Sequence, residues 1–234
     1  MTEAGGIAGR LGEVLDRIAA SARANGRDPS SVLLVAVTKK LPAAAAFEAY
    51  EAGHRDFGEN YVQEGAAKAA ELASRMPDAR WHLIGRLQSN KAAVAVHAFS
   101  LLHGIDSLST AAAVAKTATR EGRTADALLQ VRLGGGEARG GVEGNAAEDF
   151  LRAAAQEGIR FVGLMGVADP EAEARPQFAR LRLLGERLAA LGIEGAPLGE
   201  LSMGMTGDFE DAIAEGATIV RIGTAIFGER PPRA

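Results

Sequence analysis

Apolar residues recur at Ile7, Leu11, Val14, Leu15 and Ile18, a spacing that predicts an amphipathic helix over the first 25 residues. Asn25-Gly26 ends it, and Asp28-Pro29-Ser30 leads out. The pattern then changes. Residues 32–38, Val-Leu-Leu-Val-Ala-Val-Thr, are apolar almost throughout and rich in β-branched side chains, as in a strand covered on both faces. A helix from Pro42 to about Ala52 follows, with proline in its first turn and Gly53 after its end. Seven further strand-like runs come near 55–58, 81–85, 101–105, 126–133, 160–166, 198–202 and 218–222. Helical patterns separate them over 60–75, 108–121, 146–157, 175–191 and 208–215, with a short helix over 89–97.

Eight strands, each followed by a helix or turn, predict an α/β protein with a parallel sheet. An eightfold repeat in 234 residues fits a single (β/α)8 TIM barrel with an extra N-terminal helix, a fold for which about 250 residues is usual. An open doubly wound sheet is the rival, but no Gly-x-Gly-x-x-Gly turn follows the first strand. Gly134-Gly135-Gly136 lies after the fifth strand without that spacing and reads as a flexible loop. No Pro/Ser linker, charge block or low-complexity stretch divides the chain, so residues 1–234 read as one domain.

Composition narrows the function. At 47% apolar residues, the chain can build a sizeable core and is not of the disordered class. Its 26 basic and 30 acidic residues give a net charge of −4, without the basic bias of a dedicated nucleic-acid or acidic-membrane binder. The absence of cysteine excludes disulfides, thiolate chemistry and Cys-ligated zinc or iron–sulfur sites. No run approaches the roughly 18 apolar residues of a membrane span. The opening Met-Thr-Glu-Ala-Gly-Gly has neither the basic nor the apolar region of a secretory leader, so a cytoplasmic protein is expected.

In such barrels the chemistry sits at the C-terminal ends of the strands, with phosphate often held after strands seven and eight. The first strand ends in Thr38-Lys39-Lys40, which places two of only five lysines together at that end. A lysine partly removed from water beside another cation has a lowered pKa, and its neutral amine can attack an aldehyde. Alternation puts Leu33, Val35, Val37 and Lys39 on one face and Leu34, Ala36, Thr38 and Lys40 on the other. Both faces are apolar, so parity leaves open which lysine points inward.

Arg221 lies within the otherwise apolar run Ile219-Val220-Arg221-Ile222-Gly223. A cation there needs partners, either an internal carboxylate such as Asp106 or Glu59, or a ligand in the barrel mouth. Ser202-Met203-Gly204 and Gly223-Thr224 place hydroxyls and glycines at the two loops favoured for phosphate, where backbone N–H groups can meet an anion. Together with the lysines they point to a phosphorylated aldehyde. His54, His82, His97 and His103 lack metal-ligand spacing and read as helix, strand or surface residues. Ser202 has no Gly-x-Ser-x-Gly context and no assignable histidine partner. Trp81 and the eight phenylalanines read mostly as core.

The sequence resembles the pyridoxal 5′-phosphate (PLP) homeostasis protein family, single-domain relatives of the N-terminal barrel of alanine racemase. The matching segments are Leu34-Val-Ala-Val-Thr-Lys39, Phe57-Gly-Glu-Asn-Tyr-Val-Gln-Glu64, Trp81-His-Leu-Ile-Gly85 and Leu87-Gln-Ser-Asn-Lys91. Further on come Gly163-Leu-Met-Gly166, Leu201-Ser-Met-Gly-Met205 and Val220-Arg-Ile-Gly-Thr-Ala-Ile-Phe-Gly228. They run in family order over nearly the whole chain. Three departures from the usual pattern occur: Lys40-Leu41 where Thr-Lys is common, Arg86 for a proline, and Thr206 for a serine.

The resemblance implies PLP held as a Schiff base on Lys39, with phosphate contacts from the Ser202-Met203-Gly204 turn, Gly223 and Thr224. It also implies Arg221 beside the pyridine nitrogen and Asn60 near the cofactor. An arginine at that nitrogen is a permanent cation and should leave it unprotonated, which makes PLP a weak electron sink. Alanine racemase uses a second base, a tyrosine from another domain and subunit. Tyr50 and Tyr61 are the only tyrosines here, and the chain ends at Ala234, soon after the eighth strand. The expectation is a monomeric PLP carrier without strong catalytic activity, with PLP-dependent apoenzymes as its recipients. A PLP-dependent amino-acid racemase and a Schiff-base aldolase acting on a sugar phosphate are the alternatives.

Overall fold

A computed structural model describes residues 5–134 and 140–229. Eight parallel strands close into a barrel in sequence order: β1 (Leu33–Val37), β2 (Asp56–Glu59), β3 (Arg80–Arg86), β4 (Leu101–Ile105), β5 (Ala125–Gln130), β6 (Ile159–Met165), β7 (Glu200–Ser202) and β8 (Ile219–Ile222). The seam is a β1–β8 pairing in which Val35 lies opposite Arg221. The predicted (β/α)8 barrel is the architecture that forms.

Helices α1 (Ile7–Ala24), α2 (Ala43–Glu51), α3 (Val62–Leu72), α4 (Ala92–Ala98), α5 (Leu108–Arg120), α6 (Ala147–Ala154), α7 (Ala174–Ala189), α8 (Phe209–Ala214) and α9 (Thr224–Phe227) surround it. The extra N-terminal helix α1 packs on α8 and α9. Its Leu11, Val14, Ile18 and Ala22 are buried, whereas Leu15 is 44% exposed, so the apolar stripe is narrower than its spacing suggested. α9 had no counterpart in the hydrophobic pattern, being only four residues long. The fifth strand stops at Gln130 rather than 133. Of the predicted glycine loop, Gly135 and Gly136 lie outside the described residues.

Alternation sorts the strands into two apolar layers. Val35, Leu101, Leu128, Met165 and Ile219 form a small cluster filling the barrel. Leu34, Ala36, Phe57, Leu83, Leu102, Leu129, Leu164, Val220 and Ile222 face outward into the larger layer under the helices. β1, β4, β5, β6 and β8 therefore carry apolar residues on both sides, which is why they read as apolar runs. Close strand approach needs glycine at Gly163, where a Cβ would fall 2.0 Å from the Glu200 carbonyl oxygen.

Candidate functional site

The two layers settle the parity of β1. Leu33 and Val35 belong to the interior cluster, and Lys39 comes two residues after the strand ends at Val37, half-buried in a turn. Thr38 turns the other way, and its hydroxyl donates to Glu59 Oε1 at 2.7 Å on the α3 side of the sheet. Lys40 is exposed, adopts a left-handed backbone with φ 60°, and carries its Nζ 5.8 Å from the centre of the Tyr61 ring.

The strand end bearing these lysines is fastened from beneath. Lys68 Nζ on α3 donates to the Thr38 carbonyl at 2.8 Å and pairs with Glu59 Oε1 at 2.6 Å. The Lys40 amide donates to Glu64. Burial pushes the Glu59 carboxyl up, against the hydrogen bonds from Lys68 and Thr38 that pull it down. Sequence reading did not single out Lys68, and it placed Glu59 at the end of the second strand as a possible partner for Arg221.

Arg221 is 5% exposed and points into the barrel from β8. Its Nη1 donates to Ser202 Oγ at 2.6 Å and its Nη2 to the Gly166 carbonyl at 3.0 Å. The suggested pairing with Asp106 or Glu59 does not form. Asp106 pairs with Arg86 at 3.1 Å, and Glu59 is taken by Lys68. Burial lowers the Arg221 pKa to about 10, with Asp208 opposing, so it remains a cation at neutral pH.

Ser202 has a histidine partner after all. His103 Nδ1 on β4 lies 2.8 Å from Ser202 Oγ, across the barrel and 99 residues away in sequence. The chain of contacts continues: His103 Nε2 lies 3.1 Å from His82 Nδ1, and His82 Nε2 lies 3.1 Å from Asp56 Oδ1. Arg80 then clamps Asp56 with Nε at 2.7 Å and Nη2 at 2.5 Å. Burial opposes the Asp56 charge, but the hydrogen bonds from His82 and Arg80 outweigh it and hold the carboxyl at about 2. Burial, with His82 and Arg221 nearby, pushes His103 well below 6.5, so it is neutral. Sequence reading missed this network; its one visible signal was two histidines on the interior parity of consecutive apolar strands.

The other predicted residues surround Ser202 and Arg221 unevenly. The Arg221 amide donates to the Gly204 carbonyl at 3.0 Å. Gly204 has φ 92°, and a Cβ there would meet the Ala212 Cβ at 2.6 Å, so only glycine fits the turn. Met203 is fully buried in the helix-side layer, so the part it offers this turn is its backbone. Gly223 lies against β1, where a Cβ would meet the Val37 carbonyl oxygen at 3.2 Å, and Thr224 beside it is exposed in the first turn of α9. Asn60 instead lines a cleft of about 630 Å³ with Tyr61, Arg86, Gln88, Lys91 and Ser107, at the ends of β2 to β4. Another cavity, of about 960 Å³, lies between the end of β5 and α7 and contains none of the predicted residues.

The donor set suits a phosphorylated aldehyde. Two hydroxyls, a glycine turn and a buried guanidinium offer donors to an anion, and the half-buried residue Lys39 follows the neighbouring strand. Ser202 is fully buried and already accepts from Arg221, which argues against a hydrolytic nucleophile.

Comparison with known proteins gives the same direction. The sequence profile described as "Alanine racemase, N-terminal domain" matches residues 15–231. The chain is 42% identical over 225 residues to the pyridoxal phosphate homeostasis protein of Pseudomonas aeruginosa, covering 96% of each chain. It is 40% identical over 227 residues to that of Escherichia coli K12, covering 96% of this chain and 97% of the other. A solved structure of PipY from Synechococcus elongatus with PLP bound superposes with a TM-score of 0.82 at 40% identity, covering 95% of this chain and all of that one.

Proposed function

This chain belongs to the alanine racemase N-terminal domain family and, within it, to the pyridoxal phosphate homeostasis proteins. From that premise we propose that it holds PLP at the mouth of its barrel as a carrier, one domain acting as a monomer that passes cofactor to PLP-dependent apoenzymes. PLP supplies an aldehyde that condenses with a neutral amine, and a phosphate that needs donors. Lys39 provides the amine. Ser202, the Gly204 turn, Gly223 and Thr224 receive the phosphate, and Arg221 faces the pyridine nitrogen. Asn60 borders the same rim from β2.

One observation carries this reading: the strand bearing Lys39 and the strand bearing Arg221 are neighbours, in register at Val35 and Arg221. That adjacency supports placing amine and cation in one barrel mouth. Arg221 also supports holding over transforming. Kept charged among neutral acceptors, it cannot give the pyridine nitrogen the proton that strong electron withdrawal requires. Tyr50 is engaged by Asp78 on the outside, and Tyr61 is half-exposed beside Lys40, so neither is set as a buried base opposite Lys39.

Incubation with PLP followed by borohydride reduction and peptide mass measurement tests the proposal. The expected product is a yellow protein whose reduced adduct has the mass of PLP and maps to Lys39. A colourless protein, or an adduct confined to other lysines, rejects it.

A further inference from the structure

Lys39 sits in a tight turn. The Leu41 amide donates to the Thr38 carbonyl at 3.1 Å, closing a four-residue turn with Lys39 second and Lys40 third. Lys40, and not Lys39, has positive φ, at 60°. That is the pattern of a type II turn, whose third position is usually glycine. A residue with a side chain is disfavoured in this left-handed conformation by a factor on the order of ten. Something must hold Lys40 there.

Helix α3 holds the turn on both sides of Lys39. It carries Glu64 in its first turn and Lys68 four residues later, on the same face and 3.6 Å apart. Lys68 Nζ donates to the Thr38 carbonyl at 2.8 Å, just before Lys39, and Glu64 Oε1 accepts the Lys40 amide, just after it. An Nζ facing a carbonyl and a backbone N–H facing a carboxyl oxygen can only donate, so both directions are fixed. Thr38 is tied further, its amide to the Gly58 carbonyl at 3.0 Å and its hydroxyl to Glu59. Rotating the Lys39–Lys40 peptide by half a turn would relax Lys40 to negative φ. It would also aim the Lys39 carbonyl oxygen at the Glu64 carboxylate, which repels it.

We propose that Glu64 is a positioning residue for Lys39: by accepting the Lys40 amide it keeps the turn in its left-handed form, and so fixes the backbone from which the reactive amine meets the aldehyde. The proposal rests on the reading of Lys39 as that amine. Condensation forms one carbon–nitrogen bond and releases one water, and Glu64 moves none of those atoms. What it supplies is geometry, since an amine on a wandering backbone spends less time in reach of the carbonyl carbon. The Lys40 side chain adds a weaker tie in the same direction, with its Nζ 5.8 Å from the centre of the Tyr61 ring at the start of α3.

The test follows how fast the full-length protein turns yellow in PLP. Glu64→Ala should slow this about tenfold, the factor by which the left-handed turn is disfavoured once its acceptor is gone. Glu64→Gln should stay close to the unsubstituted rate, because an amide oxygen still accepts the Lys40 N–H. Adding Lys40→Gly to Glu64→Ala should recover the rate, because glycine occupies positive φ freely. The Tyr61 contact is lost in that protein, so it cannot be the source of the recovery. Pyridoxine 5′-phosphate, whose alcohol cannot react with Lys39, should bind all four proteins equally. Without ligand, hydrogen exchange at the Lys40 amide should quicken in Glu64→Ala and not in Glu64→Gln. An unchanged rate of colour or of exchange in Glu64→Ala overturns the proposal, as does a double variant no faster than the single one. Glu64→Gln as slow as Glu64→Ala would make charge the cause and overturns it too. So does weaker binding of the alcohol in step with the slower colour, the mark of a loosened barrel mouth. Failure of the underlying reading looks different: the unsubstituted protein then stays colourless, or its borohydride-reduced adduct maps away from Lys39.

Discussion

The guanidinium of Arg221 rests 2.6 Å from the hydroxyl of Ser202, and neither side chain is open to water. The cation's partners here are a hydroxyl and a backbone carbonyl, not a carboxylate. A buried cation held this way is costly on its own.

Arg221→Met should therefore separate binding from folding. Lost hydrogen bonds to neutral acceptors are offset by relief of a desolvated charge, so the unfolding free energy should change by less than about 2 kcal/mol. Affinity for pyridoxine 5′-phosphate should fall by about tenfold or more. Urea unfolding and calorimetry measure the two; a large loss of stability with unchanged affinity would show that Arg221 only supports the barrel.

Lys39 and Lys40 should not be interchangeable. Lys39→Ala should leave the protein colourless in PLP. Lys40→Ala should stay yellow, because Lys40 is exposed and turned toward Tyr61. Absorbance spectra of the two variants decide it, and the reverse pattern would move the reactive amine to Lys40.

Lys68→Met should be among the most damaging single changes. It strands the buried Glu59, whose Oε2 already lacks a hydrogen-bond partner. Removing one member of such a pair typically costs about 3–5 kcal/mol. The double variant Glu59→Leu with Lys68→Met should recover much of that loss, since no uncompensated charge remains. Urea unfolding of the unsubstituted protein, both single variants and the double variant gives the coupling, and additive losses would mean that the pair contributes nothing as a pair.

Stability should decline as the pH falls below about 6.5. His54 and His103 are both held below that value by burial. Just under pH 6.5 the unfolded chain therefore binds more protons than the folded one, and each group can contribute a slope of up to about 1.4 kcal/mol per pH unit. Above it both states are neutral and the effect vanishes. Glu59, held high by burial, works in the opposite sense nearer its ordinary range. His103→Asn should flatten the decline between pH 6.5 and 5, leaving the share of His54. An unchanged slope in urea unfolding would mean that His103 already carries a proton in the folded protein.

Most of the framework could be read from the chain. All eight strands and the main helices followed from apolar runs, helical spacing and capping signals such as Pro42, Asn25-Gly26 and Gly53. The misses have local causes. Leu15 fell outside a stripe narrower than its spacing, and α9 is too short to show a period. Lys39 and Arg221 stood out because a cation at the edge of, or inside, an apolar run demands a reason.

What the sequence determined by itself was the succession of elements, the kind of barrel they build, and the residue types able to capture a phosphorylated aldehyde. Only closure of the barrel decided which face of β1 looks inward, since a strand buried on both sides carries no polar face to betray its orientation. Closure also joined Asp56, His82, His103, Ser202 and Arg221 into one hydrogen-bonded path. These residues lie on five strands, and no local spacing links them until the eighth strand meets the first.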